Sequence, residues 1–167
     1  MSLIIEDGTG VAGADSYVTL EEARAYAASR GLTLSSTDAT LESYLRRATD
    51  YLEAQRDKYK GHKTDATYPL QWPRKCVYID CTPIDSDVIP AELKQAQIQL
   101  AAAINSGIDI MPTATGEAFI TLDKVGPIET RYSESIATSG VPIVRTADAL
   151  LAVLYRDGGG LITTERA

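Results

Sequence analysis

Few side chains in this chain are equipped for catalysis. The single histidine, His62, sits in Lys60-Gly61-His62-Lys63, and the two cysteines are Cys76 and Cys81. A nucleophile and base pair would have to use His62, yet two flanking lysines mark it as an exposed residue at a hydrophilic helix exit. One histidine and two thiols cannot complete a zinc tetrad, and two cysteines are too few for a disulfide framework, so both read as free thiols. Asp80, Asp85 and Asp87 offer oxygens to a divalent cation. The plainer role for Asp85-Ser86-Asp87 is capping and favourable negative charge ahead of a helix that starts at Pro90. No Gly-Lys-Ser/Thr phosphate loop is present. These residues point to no catalytic site, no metal and no cofactor, and the expectation is a protein that is not an enzyme.

A glycine string near the start, Gly8-Thr9-Gly10-Val11-Ala12-Gly13, follows the apolar triplet Leu3-Ile4-Ile5 and has the spacing of a dinucleotide-binding turn. That motif works when a helix begins inside it and aims its N-terminus at a pyrophosphate. Here the helix start comes later, at Thr19-Leu20-Glu21-Glu22, a capping box. The acidic ribose ligand expected further along is also missing. The string therefore reads as a glycine turn without a nucleotide.

The elements that must position any site are mostly helical. An apolar stripe of Leu41, Tyr44, Leu45, Ala48, Tyr51, Leu52, Gln55 and Tyr59 predicts a long helix from about Asp38 to Lys60. It is expected to be the central one, with Ser36, Thr37 or Asp38 as its cap and an exposed face of Glu42, Arg46, Asp50, Glu53 and Asp57. A shorter helix runs from Leu20 to about Ser29, with Ala23, Tyr26 and Ala27 inward and Gly31 as its stop. A third begins at Pro90, carries Leu93, Ala96, Gln97, Leu100, Ala103 and Ile104, and ends at Gly107. A fourth covers Thr146 to about Arg156. Residues 61–89, with Pro69, Pro73 and Pro83, read as a long loop anchored by Trp72. Phe119 to Val125 and Ile128 to Tyr132 read as a hairpin within 117–133, Ser133 to Gly140 as a polar loop, and 158–167 as a flexible tail. The predicted fold is mainly α: a small bundle of about four helices with one β-hairpin and long loops, in a single domain over 1–157.

Charge bears on partners. The formal net charge of −7 opposes general affinity for nucleic acid. No apolar run is long enough for a membrane span, and the opening residues lack the pattern of a signal peptide, so the expectation is a soluble protein made in a cytoplasm. Against the acidic background, Arg56, Lys58, Lys60, Lys63, Arg74 and Lys75 stand with only Asp57 and Asp65 between them, interleaved with Tyr59, Tyr68 and Trp72. Cations for phosphates and aromatic faces for bases are what single-strand binders use. The favoured reading is a solvated helix end with buried aromatics; Arg56, Lys58, Lys60, Lys63, Trp72, Arg74 and Lys75 are the nucleic-acid contacts if strands are bound.

Several strings occur in a familiar order: Ile5-Glu6-Asp7-Gly8-Thr9-Gly10, Ala14-Asp15-Ser16-Tyr17-Val18, Arg46-Arg47-Ala48-Thr49-Asp50-Tyr51-Leu52, Leu70-Gln71-Trp72-Pro73-Arg74, Ile89-Pro90, and Lys124-Val125-Gly126-Pro127-Ile128 with Tyr132. In this the chain resembles a family of tailed-phage and prophage head-tail connector, or head-completion, adaptors, some of whose members carry the label DnaT-like single-stranded-DNA-binding protein. The resemblance implies a structural virion protein, made in the bacterial host cytoplasm. It would dock as a ring, usually a dodecamer, onto the portal protein and meet a further head-tail joining or tail-completion protein. It further implies self-association, weak contact with passing DNA and no membrane. On that reading Leu161 and Ile162 in the tail are the portal-interface candidates, and replacing both with Ser should weaken docking. Single-stranded-DNA binding through residues 56–75 is the alternative.

Overall fold

The computed structural model describes residues 2–111, 122–125, 128–131 and 144–156. Four α-helices occur among them: α1 Leu20–Arg30, α2 Asp38–Ala54, α3 Ala91–Asn105 and α4 Arg145–Ala152. Three antiparallel two-stranded ladders accompany them. They pair β1 His62–Lys63 with β2 Arg74–Lys75, β3 Val77–Ile79 with β4 Thr82–Ile84, and β5 Leu122–Val125 with β6 Ile128–Arg131. The mainly helical architecture expected from the periodicity is the observed one. Among the described residues no helix is long and apolar enough to cross a membrane.

Local chemistry explains α1 well. Thr19 Oγ1 accepts from the Glu22 amide at 3.1 Å while the Glu22 carboxylate accepts from the Thr19 amide at 2.8 Å, the reciprocal capping box. Gly31 closes the other end, its N–H reaching the carbonyls of Ala27 and Ala28. Helix α2 buries Leu41, Leu45, Ala48, Thr49 and Leu52 but stops short of the expected length. After Gln55 the chain tightens into a 3₁₀ turn, Arg56–Lys58, and Tyr59 leaves it in extended conformation. Tertiary contacts set this boundary. The Tyr59 hydroxyl donates to the Leu52 carbonyl at 3.0 Å, beside the Gln55 amide that donates to the same oxygen at 3.1 Å, and Tyr59 pairs across an isolated bridge with Tyr155. The same bridge ends α4 early, since Lys60 N donates to Leu154 O and Arg156 N to Lys58 O.

The central helix is α3 rather than α2. Its interactions extend over both α2 and α4. It buries Leu93, Ala96, Gln97, Ile98, Leu100, Ala101, Ala103 and Ile104, more than one stripe accounts for. Small residues on a helix permit neighbours on two sides, and this feature outweighs the cleaner periodicity of α2. Gln97, fully buried, ties the layers together. Its Oε1 accepts from Tyr17 N at 3.1 Å, and its Nε2 lies within hydrogen-bond range of Ser16 Oγ, Thr49 Oγ1 and the Leu45 carbonyl. Neither expected cap holds as a side-chain device. Thr37 is the N-cap of α2 and Pro90 that of α3, and neither helix has a side-chain cap bond, so Asp85 and Asp87 do not cap α3.

Residues 61–89 are not simply a loop. They hold two short ladders, and Asp80 and Cys81, both at positive φ (49° and 65°), form the two-residue turn between β3 and β4. Trp72 is fully buried and anchors the segment as expected. The hairpin expected after α3 is present as β5 and β6, with Val125 opposite Ile128. Phe119, the Gly126-Pro127 turn, the 133–140 loop and the 158–167 tail with Leu161 and Ile162 lie outside the described residues.

Candidate nucleic-acid interface

The glycine turn is closed to outside anions by the protein's own chemistry. Glu6, fully buried, turns its carboxylate into the turn, where it accepts from the amides of Gly8 at 2.9 Å, Gly10 at 2.8 Å and Val11 at 3.1 Å. Backbone amides converging on one point make an anion site, and here an internal carboxylate fills it. Two of the glycines are required by close approach. A Cβ on Gly8 would lie 1.7 Å from the Asp87 carbonyl oxygen, and one on Gly10 would lie 2.1 Å from the Tyr68 ring. The turn therefore serves to seat the N-terminal segment on residues 61–89.

The basic-aromatic segment separates into inside and outside. Tyr59 and Trp72 are fully buried and meet edge to face at 5.7 Å between ring centroids, so neither presents a face to a base. Trp72 is thereby corrected from candidate contact to core residue. Arg74 is also corrected. It is 5% exposed, and its guanidinium donates to the carbonyls of Lys60 at 2.8 Å and Gly61 at 3.0 Å and to Gln71 Oε1 at 3.1 Å. Burial, and next the nearby Arg156, pull Arg74 below the ordinary arginine range, yet a guanidinium stays charged at neutral pH. The favoured sequence reading, buried aromatics beside a solvated helix end, holds for these rings.

Lys75 and His62 are opposed in the β1–β2 ladder, and both are exposed. Arg56 and Lys58 are exposed on the 3₁₀ turn, while Lys60 and Lys63 are half-buried. The Lys63 ammonium donates to the Tyr68 carbonyl. Among the described residues, the one ion pair made by the six cations is Arg56 with its neighbour Asp57 at 3.7 Å, on open surface. Outside the segment, Arg30, Arg145 and Arg156 are likewise exposed and without an ion pair among the described residues, whereas four other cations are paired. Arg24, Arg46, Arg47 and Lys94 each face a carboxylate, respectively Asp38, Asp15, Asp109 and Glu22. Residues 56–75 thus carry positive charge left largely unneutralised by direct partners in a chain whose net charge is −7.

Sequence reasoning missed three contributors. Glu53, expected on the exposed face of α2, turns inward and accepts from Tyr17 Oη at 2.5 Å and from Gln71 N at 2.9 Å. Burial raises its pKa against those hydrogen bonds, and burial with the Glu53 charge holds the Tyr17 hydroxyl protonated. Arg156 and Tyr78 are the other two. They join Lys60, Gly61, Cys76, Asp80 and Cys81 around an open cleft of about 690 Å³. Both thiols are free and exposed. Among the described residues no three or more His, Cys, Asp or Glu side chains gather in a metal-binding group, and Asp80, Asp85 and Asp87 form no such cluster.

This is a mainly helical protein with a cationic edge built on the connection between α2 and α3. The chain belongs to the family described as "Putative DnaT-like ssDNA binding protein", whose model matches residues 1–167. No curated protein and no solved structure matches it.

Proposed function

We propose that the protein binds single-stranded DNA through the exposed cations around the 3₁₀ turn and the β1–β2 ladder. The observation that carries this reading is the local excess of positive charge at residues 56–75, where six cations make a single ion pair among the described residues, Arg56 with Asp57. Family membership supports the same reading. With Trp72 and Tyr59 inside, contact at this edge is chiefly to phosphates, which makes it blind to sequence and sensitive to salt. Lys58→Glu combined with Lys75→Glu changes two exposed side chains. The pair should weaken binding of a labelled single-stranded oligonucleotide by about tenfold or more at low salt, while circular dichroism stays that of the parent. Equal affinity in the double variant would remove this edge from the interface.

A second reading, a head-tail connector that docks as a ring on a phage portal, rests on the resemblance alone; the burial of Trp72 and Arg74 removes two candidate strand contacts without bearing on docking. These residues belong to the Leu70-Gln71-Trp72-Pro73-Arg74 string of the resemblance, and they act as architecture rather than as a base-stacking surface. Electron microscopy of lysates from a phage or prophage lacking the gene separates the two. Free tails beside unjoined heads support the connector; joined, normal particles speak for the single-strand binder. Leu161 and Ile162, the candidates for portal docking, are outside the described residues.

A further inference from the structure

We propose that the cleft between Lys60, Arg156 and the β3–β4 hairpin is a nucleotide subsite, in which Tyr78 stacks on one base of a single strand while Arg156 and Lys60 hold its phosphate. This rests on the single-strand-binding reading and extends it beyond residues 56–75 to Tyr78 and Arg156.

Tyr78 is 57% exposed, the most exposed of the large hydrophobic side chains described. An uncovered tyrosine ring is a sequence-tolerant platform for a base. Its backbone is fixed by the β3–β4 ladder, where it lies opposite Pro83, and by Lys60, whose ammonium donates to the Tyr78 carbonyl at 3.4 Å and to that of Val153 at 2.9 Å. Those two bonds leave the third ammonium proton for a ligand.

Arg156 is held from behind, its Nε donating to the Tyr59 carbonyl at 2.9 Å and its backbone N to the Lys58 carbonyl at 2.7 Å. Its terminal guanidinium nitrogens have no acceptor among the described residues, and a guanidinium fork matches phosphate oxygens. Buried Arg74 bonds the carbonyls of Lys60 and Gly61 at the cleft wall, adding positive potential without an acid in ion-pair contact. Asp80, at the hairpin turn, is the one acid among the lining residues. A space of about 690 Å³ lies within the usual size range of small-ligand sites and admits one nucleotide unit.

Cys76 and Cys81 line the same cleft and report on its occupancy. The test is titration of a fluorescein-labelled oligothymidylate with parent, Tyr78→Ala and Tyr78→Phe proteins, together with the rate of thiol alkylation by iodoacetamide with and without saturating oligonucleotide. Tyr78→Ala should bind about tenfold more weakly, Tyr78→Phe close to the parent, and bound strand should slow alkylation of both cysteines several-fold. Parental affinity in Tyr78→Ala with unprotected thiols, while Lys58→Glu with Lys75→Glu still weakens binding, would overturn the subsite and leave the cationic edge standing. Absence of oligonucleotide binding by the parent would overturn both.

Discussion

Trp72→Ala should cost about 3–5 kcal/mol of stability, the usual range for truncating a buried large aromatic, and lower the melting temperature by on the order of 10 °C. The ring is fully buried and meets Tyr59 edge to face, and Tyr59 in turn packs on Tyr155 with centroids 5.6 Å apart. One side chain thus joins three stretches of chain: residues 61–89, the end of α2 and the end of α4. The Trp72 amide also donates to the Tyr17 hydroxyl at 3.3 Å, bringing in the N-terminal segment. Trp72→Phe should lose much less. The indole Nε1 is buried without a hydrogen-bond partner, so Phe gives up packing volume but no hydrogen bond. Thermal melts followed by circular dichroism measure both variants. A Trp72→Ala protein that melts like the parent but no longer binds oligonucleotide would show the ring to be a base platform after all.

Gly8→Ala should be the second most damaging single change considered, at about 2–4 kcal/mol from a side chain forced into positive φ and from overpacking. Gly8 has φ +108°, and the added carbon would stand 1.7 Å from the Asp87 carbonyl oxygen, a backbone atom with no rotamer to escape into. Relief requires the turn or the Asp87 backbone to move, and moving the turn pulls the amides of Gly8, Gly10 and Val11 from the Glu6 carboxylate. Urea unfolding at constant pH measures the loss. An unchanged midpoint would mean that the turn does not hold residues 61–89, and its glycines would need a different explanation.

These two residues show what the sequence made legible. Helix periodicity located the four helices among the described residues, and the Thr19 to Glu22 capping box and Gly31 set the limits of α1, because those signals are local. The end of α2 was not legible, because no residue between Gln55 and Lys60 breaks a helix and the stop comes from Tyr59 bonding Leu52 O and pairing with Tyr155. Strands of two or three residues lie below the length at which alternation is visible, which hid β1 to β4. For Trp72 the sequence allowed both base stacking and core packing, since a large amphipathic ring suits either; burial decided it. Glu53 and Glu6 look like surface acids until their partners are placed. Arg156 is remote in sequence from Lys60 and Tyr78, and no spacing rule joins them. The glycine string kept its negative reading and gained a positive one: its anion site is filled from within.

The central claim is that an acidic protein binds single strands through a locally unneutralised cationic edge. Fluorescence-anisotropy titration of a labelled single-stranded oligonucleotide at several salt concentrations tests it most directly. With three to five phosphate contacts, the slope of log affinity against log salt should be about −2 to −3.5, and binding at low salt should be tighter than about 100 µM. No binding at low salt, or affinity indifferent to salt, would contradict the claim and leave the connector as the reading to pursue.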